Sequence, residues 1–163
     1  MIVLGIDPGV AIVGFAVVKE TSKSQKPKVV DFGCIITTNQ QSPGKRLEKI
    51  HDEIYDLIKK HKPNLISVEN LYFFKNHKTA LPVSQAKGVI LLAAAENDVP
   101  VLEFTPLQVK MTIVGYGRAE KKQVQEMTKQ LLDLGDLDLK EKSRKKDDAA
   151  DALGVAMCAL LKG

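Results

Sequence analysis

A short apolar run that stops on an acid is the feature that most limits the possible folds of this sequence. Residues 2–6 are mostly β-branched, and Asp7, Pro8 and Gly9 follow them directly. A run of this length and composition predicts a β-strand, and the Asp-Pro-Gly tripeptide predicts a turn at its end. Asp7 is therefore expected at the carboxyl end of a strand, where open α/β sheets bind their ligands.

Four further runs have the composition of strands. Residues 13–18 and 29–38 follow the first strand, with polar turn residues between them. Residues 65–68 are nearly all apolar, as in strands buried on both faces, and this run ends on a second acid, Glu69. Residues 101–104 form a short fifth run. The chain is thus expected to contain a central five-stranded mixed β-sheet.

Helices are expected between and after these strands. Apolar residues recur at spacings of three and four after Pro43, which predicts a helix ending near His61. Residues 72–78 are expected to be a loop. Later helices are predicted at residues 82–97, from Thr105-Pro106 onward, at 120–132 and at 147–161. The pattern predicts an α/β fold with a sheet flanked by helices, and 163 residues fit one domain spanning 1–163.

Composition limits the setting in which the protein works. Lys and Arg number 24 against 20 Asp and Glu, and the net charge of +4 favours an anionic partner only weakly. Cys34 and Cys158 lie far apart in apolar stretches, which indicates reduced thiols rather than a disulfide framework. The longest apolar run, residues 89–95, is too short to cross a bilayer. We therefore expect a cytoplasmic protein with no membrane partner.

The last predicted helix carries two more acids on one face. Asp148 and Asp151 are three residues apart, and the neighbouring alanines leave that face sterically open. If these two acids lie within about 5 Å of Asp7 and Glu69, each like-charge pair costs roughly 3 kcal/mol at an effective dielectric of about 20. Such a cluster must protonate or bind cations, and oxygen ligands without Cys or His favour Mg²⁺ or Mn²⁺. Two such ions can activate water and stabilise the leaving oxygen of a phosphodiester.

Taken singly, each acid also has an ordinary structural explanation. An Asp before Pro-Gly commonly forms a turn, and acids in the first turn of a helix stabilise the helix dipole. The ordered set of four is what indicates catalysis. The histidines, His51, His61 and His77, lack the spacing of metal ligands and are interpreted as surface or loop residues.

The motifs occur in the order found in RuvC resolvases: Gly5-Ile6-Asp7-Pro8-Gly9, then Val68-Glu69, then Asp148-Ala149-Ala150-Asp151-Ala152-Leu153. The intervening stretches resemble that family as well, over almost the whole chain. The resemblance implies an RNase H-like fold and a homodimer with two active sites. It also implies an endonuclease that symmetrically nicks four-way (Holliday) DNA junctions in recombination and repair, beside the branch-migration proteins RuvA and RuvB.

The resemblance also implies roles for individual residues. Asp7, Glu69, Asp148 and Asp151 match the family's metal-binding catalytic tetrad, with Mg²⁺ as the cofactor and Mn²⁺ also supporting activity. Lys110 and Lys121 match its catalytically important lysines near the phosphate. The residues expected to bind DNA are Tyr72, Phe73, Lys75, Lys78, Lys110, Arg118, Lys121 and Lys122.

Two positions depart from the family pattern. Tyr72 stands where the family more often has Phe, which preserves stacking but adds a hydroxyl. Asp147 adds a third acid that could take the ligand role of Asp148; Asp148 is favoured, because the helix dipole and nearby lysines accommodate Asp147 without any catalytic purpose. Two other functions stay open: an RNase H-fold ATPase or sugar kinase, which normally needs a second domain, and a junction-binding module without catalysis, which would lack one or more acids.

Overall fold

The structure is a computed structural model that describes residues 1–22, 24–70, 77–135 and 146–162, without the side chains of 77–79 and 146. The strands are β1 (Ile2–Asp7), β2 (Ile12–Lys19), β3 (Lys28–Ile36), β4 (Leu65–Glu69) and β5 (Val101–Phe104). The helices are α1 (Pro43–His61), α2 (His77–Ala95), α3 (Pro106–Ile113), α4 (Lys121–Leu131) and α5 (Lys146–Lys162).

The five strands form one sheet in the order β3-β2-β1-β4-β5. The first three strands are antiparallel neighbours, whereas β4 runs parallel to both β1 and β5. The sheet is therefore mixed, as the sequence predicted, and β1 lies at its centre. Because β1 and β4 are parallel and adjacent, their carboxyl ends meet at the same edge of the sheet.

Successive residues of a strand point to opposite faces of the sheet, and each face of this sheet has its own core. In β1, Leu4 and Ile6 pack in the core under α1 and α2. Val3 lies in the other core, which is formed largely by α5 with contributions from α3 and α4. The alternation continues to the strand end, so Asp7 belongs to the face covered by α5.

Helix α5 packs against the sheet at two glycines. A β-carbon on Gly5 would overlap the carbonyl oxygen of Ala152, and one on Gly14 would overlap that of Asp148. A third attachment comes from β4, where the buried Ser67 hydroxyl donates a 2.7 Å hydrogen bond to the carbonyl oxygen of Val155. These contacts place the first turns of α5 close to the ends of β1 and β4.

Several boundaries differ from those predicted. Helix α2 begins at His77, within the expected loop, and it contains Pro82 in its first turns. The interpretation of His61 as a surface residue was wrong, because its side chain is only 9% exposed and bonds to Asp31 of β3 at 3.0 Å. Across the described residues, each helix is either too short or too polar to span a bilayer.

Candidate active site

The predicted acids meet where the ends of β1 and β4 face α5. The parallel register pairs Ile6 with Val68. Asp7 and Glu69, the next residues of the two strands, therefore lie side by side at adjacent strand ends. Both lie on the face that carries Val3 and Ser67, by the same alternation. Asp148 and Asp151 occupy the first two turns of α5 above them. Strand alternation and helix packing thus direct all four acids to one region.

Asp151 is held by two side chains from α4. The Lys121 ammonium lies 2.6 Å from Oδ2 of Asp151, and the Gln125 amide donates to Oδ1 at 3.2 Å. Lys121 and Gln125 are four residues apart and therefore share one face of α4. The side chain of Asp151 is 21% exposed and that of Lys121 is 54% exposed. Lys121 consequently lies at the mouth of the site, with its charge directed inward.

A cavity of about 260 Å³ opens beside these acids. Its wall contains both charged and apolar side chains, and it includes the two lysines that the sequence predicted to lie near the phosphate. Its lining residues are Glu69, Pro106, Val109, Lys110, Lys121, Val124 and Asp151. A phosphate group that entered this space would meet both ammonium groups and carboxylates.

The acids influence each other electrostatically. Burial, and then the charges of Glu69, Asp151 and Asp148, raise the pKa of Asp7 to about 8. Burial and the charge of Asp151 raise the pKa of Glu69 to about 7, although Lys121 and Lys110 work in the opposite direction. Without a cation beyond the lysines, the site therefore retains protons near neutral pH.

Asp148 belongs to this coupled group. Its pKa is raised by burial and by the charges of Asp151 and Asp147, against the opposing effect of Lys121. Burial alone would lower the pKa of Lys121, but the hydrogen bond to Asp151 and the charges of Asp151, Asp147 and Asp148 together outweigh burial, and the pKa rises. The Asp147 side chain is exposed, whereas that of Asp148 is partly buried. Asp148 is the better placed of the two to act within the site.

Within the described part of the chain, no three acidic, histidine or cysteine side chains are close enough together to hold an ion. Four carboxylates repel one another when no divalent cation separates them, and here Lys121 neutralises Asp151 instead. The donor chemistry nevertheless fits a hard cation, because the candidate ligands all offer carboxylate oxygens and two of these acids have strongly raised pKa values.

Of the other residues predicted to bind DNA, the structure describes the side chains of some but not of others. Lys110 is partly buried beside the cavity, and Arg118 is exposed in the segment that joins α3 to α4. Lys122 is exposed on α4 and pairs with Glu126 at 4.0 Å. Three predicted contacts, Tyr72, Phe73 and Lys75, lie outside the described residues. Lys78 lies in α2, and the structure does not describe its side chain.

Three residues that contribute to the site were not found by sequence reasoning. Gln125 bonds to a predicted ligand, Gly14 allows α5 to approach the sheet, and Ser67 anchors α5 to β4. Gln125 had a usable signal, since it lies one helical turn after Lys121. Ser67 had a weaker one, as a polar residue inside an apolar strand two positions before Glu69.

Comparison with known proteins identifies the family. The sequence model described as "Crossover junction endodeoxyribonuclease RuvC" matches residues 3–159. A protein of that name from Alkaliphilus metalliredigens is 48% identical over 158 residues, which covers 97% of this chain and 92% of the relative. Another, from Fusobacterium nucleatum, is 45% identical over 157 residues, which covers 96% of this chain and 78% of the relative.

Solved structures agree with the sequence relatives. Thermus thermophilus RuvC in complex with a Holliday junction substrate matches with a TM-score of 0.88 and 31% identity, over 99% of this chain and 94% of that one. The fold and the acids at its sheet edge define an RNase H-like nuclease. Within that class, the chain belongs to the RuvC family of crossover junction endodeoxyribonucleases, which are metal-dependent enzymes.

Proposed function

We propose that this chain resolves four-way DNA junctions by metal-dependent nicking of two opposed strands, during recombination and DNA repair. The observation that carries the proposal is a group of four electrostatically coupled carboxylates at the carboxyl ends of β1 and β4 and the start of α5. Two of them, Glu69 and Asp151, line one cavity together with Lys110 and Lys121. Membership of the RuvC family supplies the substrate class, and a relative solved with a Holliday junction supports it.

The proposed ligands of the metal are Asp7, Glu69, Asp148 and Asp151. All four offer carboxylate oxygens, which suit Mg²⁺, and Mn²⁺ accepts the same donors. When bound, the metal supplies a Lewis acid that activates water and neutralises charge on the phosphate. The raised pKa values of Asp7 and Glu69 mean that these acids must lose protons before they act as ligands.

Two lysines are proposed to act on the scissile phosphate. Lys110 and Lys121 both line the cavity that Glu69 and Asp151 also border. A lysine near the reacting phosphate stabilises negative charge that develops in the transition state. In the DNA-free structure Lys121 contacts Asp151, and its exposed side chain is long enough to turn from that carboxylate to a phosphate.

A wider surface is proposed to hold the arms of the junction. Arg118 and Lys122 are exposed and lie within three residues of Lys121 in the sequence. Lysine and arginine contacts to phosphates supply most of the sequence-independent affinity for DNA. Tyr72 and Phe73 are proposed to stack on bases at the junction. The ammonium groups of Lys75 and Lys78 are proposed to contact phosphates nearby.

The remaining proposals concern assembly and setting. We infer that residues 1–163 act as one nuclease domain and that two copies form a homodimer, one active site for each nicked strand. The support for dimerisation is an exposed stripe on α2 at helical spacing, composed of Leu81, Ser84, Gln85, Gly88, Leu92 and Ala95. We further infer a cytoplasmic enzyme that works with RuvA and RuvB.

Cleavage of synthetic junctions tests the proposal directly. The protein should bind a four-way junction in EDTA and should nick it symmetrically when Mg²⁺ is added, as read on denaturing gels. Asp7→Asn should bind as the parent does but not cut, because it removes one ligand charge. Binding without any Mg²⁺-dependent cutting by the parent would indicate a junction-binding module, and parental cutting by Asp7→Asn would exclude the proposed metal site.

A further inference from the structure

Both carboxylate oxygens of Asp151 are engaged by side chains of the described residues. Oδ2 contacts the Lys121 ammonium at 2.6 Å, and Oδ1 accepts from Gln125 at 3.2 Å. An ionised carboxylate only accepts hydrogen bonds, so the Gln125 side chain must present its amide nitrogen, not its oxygen. The hydrogen bond to Asp151 therefore fixes which end of the Gln125 amide group faces the carboxylate.

The two partners of Asp151 differ in how firmly they are held. Lys121 has a long, mostly exposed side chain at the first position of α4, and such a side chain can change rotamer readily. Gln125 lies in the middle of α4 and is partly buried. Gln125 is therefore the fixed partner and Lys121 the movable one.

The packing of α4 on α5 explains why Gln125 is fixed. Thr128, about one turn further along α4, is fully buried, and its hydroxyl lies near Gly154 of α5, one turn after Asp151. Val124 of α4 also packs against the core that α5 dominates. The face of α4 that carries Gln125 therefore packs along α5, which places the amide within hydrogen-bonding distance of Asp151.

We propose that Gln125 is a positioning residue that orients the Asp151 carboxylate for the cation. It holds Oδ1, so Oδ2, whose contact is the movable Lys121, would be the oxygen available to a cation. Side chains that hydrogen-bond to metal ligands in this way commonly change metal affinity about 10–100-fold when they are removed. This inference rests on the proposed function, because it assumes that Asp151 is a metal ligand.

The test compares Gln125→Met with the parent protein. Methionine is close to glutamine in length and helix propensity but cannot donate the hydrogen bond. Mn²⁺ binding to the DNA-free protein, measured by calorimetry or by electron paramagnetic resonance, should weaken about tenfold. The Mg²⁺ concentration for half-maximal junction cleavage should rise by a similar factor, whereas the rate at saturating Mg²⁺ and the affinity for the junction in EDTA should remain near parental values.

Two controls separate a positioning role from a loss of fold. Gln130→Met makes the same change at an exposed residue of α4 and should leave Mn²⁺ binding unchanged. Thermal unfolding in EDTA should give similar midpoints for both variants and the parent. If Gln125→Met is destabilised, Gln125→Ala provides a second deletion of the same donor, and its weaker Mn²⁺ binding at a temperature where it is folded would support the inference.

The outcomes distinguish this inference from the function on which it rests. If the parent binds Mn²⁺ and cuts junctions, and the Gln125 variants bind Mn²⁺ within twofold of the parent, the positioning role is excluded while the function stands. If a lower rate persists at saturating Mg²⁺ with unchanged Mn²⁺ binding, Gln125 acts elsewhere and the inference is likewise wrong. A parent that binds no divalent metal would overturn the proposed function itself and this inference with it.

Discussion

Gly14 of β2 lies against the backbone of Asp148, so closely that a β-carbon at position 14 would overlap the carbonyl oxygen of Asp148. Gly14 is also the cross-strand partner of Asp7 in the antiparallel pair formed by β1 and β2. One residue without a side chain therefore lies between the first acid of the site and the helix that carries the last two. The spacing of Asp7 and Asp148 depends on that absent side chain.

Replacing Gly14 by alanine should consequently move the start of α5 away from the sheet. Overpacking of this kind costs about 1–3 kcal/mol, which corresponds to roughly 2–12 °C in the unfolding midpoint of a chain of this size. Junction cleavage should fall further than stability alone explains, since Asp148 moves with the helix. Thermal unfolding and cleavage rates at saturating Mg²⁺ measure the two effects.

Gly44 provides the matched control for this substitution. A β-carbon there has open space around it, and the residue lies in the first turn of α1, which packs against the opposite face of the sheet from α5. Gly44→Ala should leave both stability and cleavage close to parental values. A Gly14→Ala protein that behaves like Gly44→Ala would mean that α5 is not held where the structure places it.

Much of this site could be predicted because strand ends are local features. The apolar run before Asp7 and the one before Glu69 each define a strand, and a parallel pair brings their ends together. The close approach of α5 could not be predicted, since it depends on Gly5, Gly14 and Ser67 acting from three different strands. No periodicity within one segment contains that information.

The contact between Lys121 and Asp151 within the site could not be predicted from the sequence either. Lys121 was predicted to lie near a phosphate, yet in the structure its ammonium contacts Asp151, a contact that requires α4 and α5 to pack side by side. The start of α2 was misplaced for a different reason. Pro82 favours a helix start in a sequence pattern, whereas it lies within the first turns of a helix that begins at His77.

The raised pKa of Asp7 predicts how the metal-free protein responds to pH. Asp7 ionises near 3.8 when unfolded and near 8 when folded, so between these values the folded state binds more protons than the unfolded state. Stability therefore falls as pH rises from about 4 to about 8. Unfolding midpoints in EDTA should decrease across this window, and Asp7→Asn, which has no charge to bury, should show a flatter profile.

At pH 8, adding metal should reverse which protein has the higher unfolding midpoint, the parent or Asp7→Asn. In EDTA, Asp7→Asn should unfold at a higher temperature than the parent, by about 2–4 °C for each kcal/mol by which the buried charge of Asp7 destabilises the fold in a chain of this length. Adding Mg²⁺ should stabilise the parent by mass action and leave Asp7→Asn nearly unchanged. Parallel pH profiles for the two proteins would show that Asp7 is not the group that retains a proton.

Substitution of the two neighbouring acids of α5 should separate their roles. Asp148→Asn should lower the cleavage rate by about 100-fold or more, the scale on which an active site loses rate when one electrostatic group is removed. Asp147→Asn should remain within about threefold of the parent, since an exposed charge in the first turn contributes mainly to the helix dipole. Single-turnover cleavage at saturating protein measures both, and equal losses would mean that the two acids share the ligand role.

The exposed stripe on α2 is predicted to form the contact between the two subunits of the dimer. Leu81 is 73% exposed and Leu92 is 51% exposed, although the opposite side of α2 packs in the core through Ala86 and Ile90. Leu92→Glu places a charge in the stripe without disturbing that core, so it should shift the protein from dimer to monomer in sedimentation equilibrium. Leu161→Glu, at a 53% exposed leucine near the end of α5, makes the same change outside the stripe and should remain dimeric. A Leu92→Glu protein with parental mass would place the subunit contact on another surface, and symmetric cutting by a Leu92→Glu monomer would break the link between dimerisation and paired nicking.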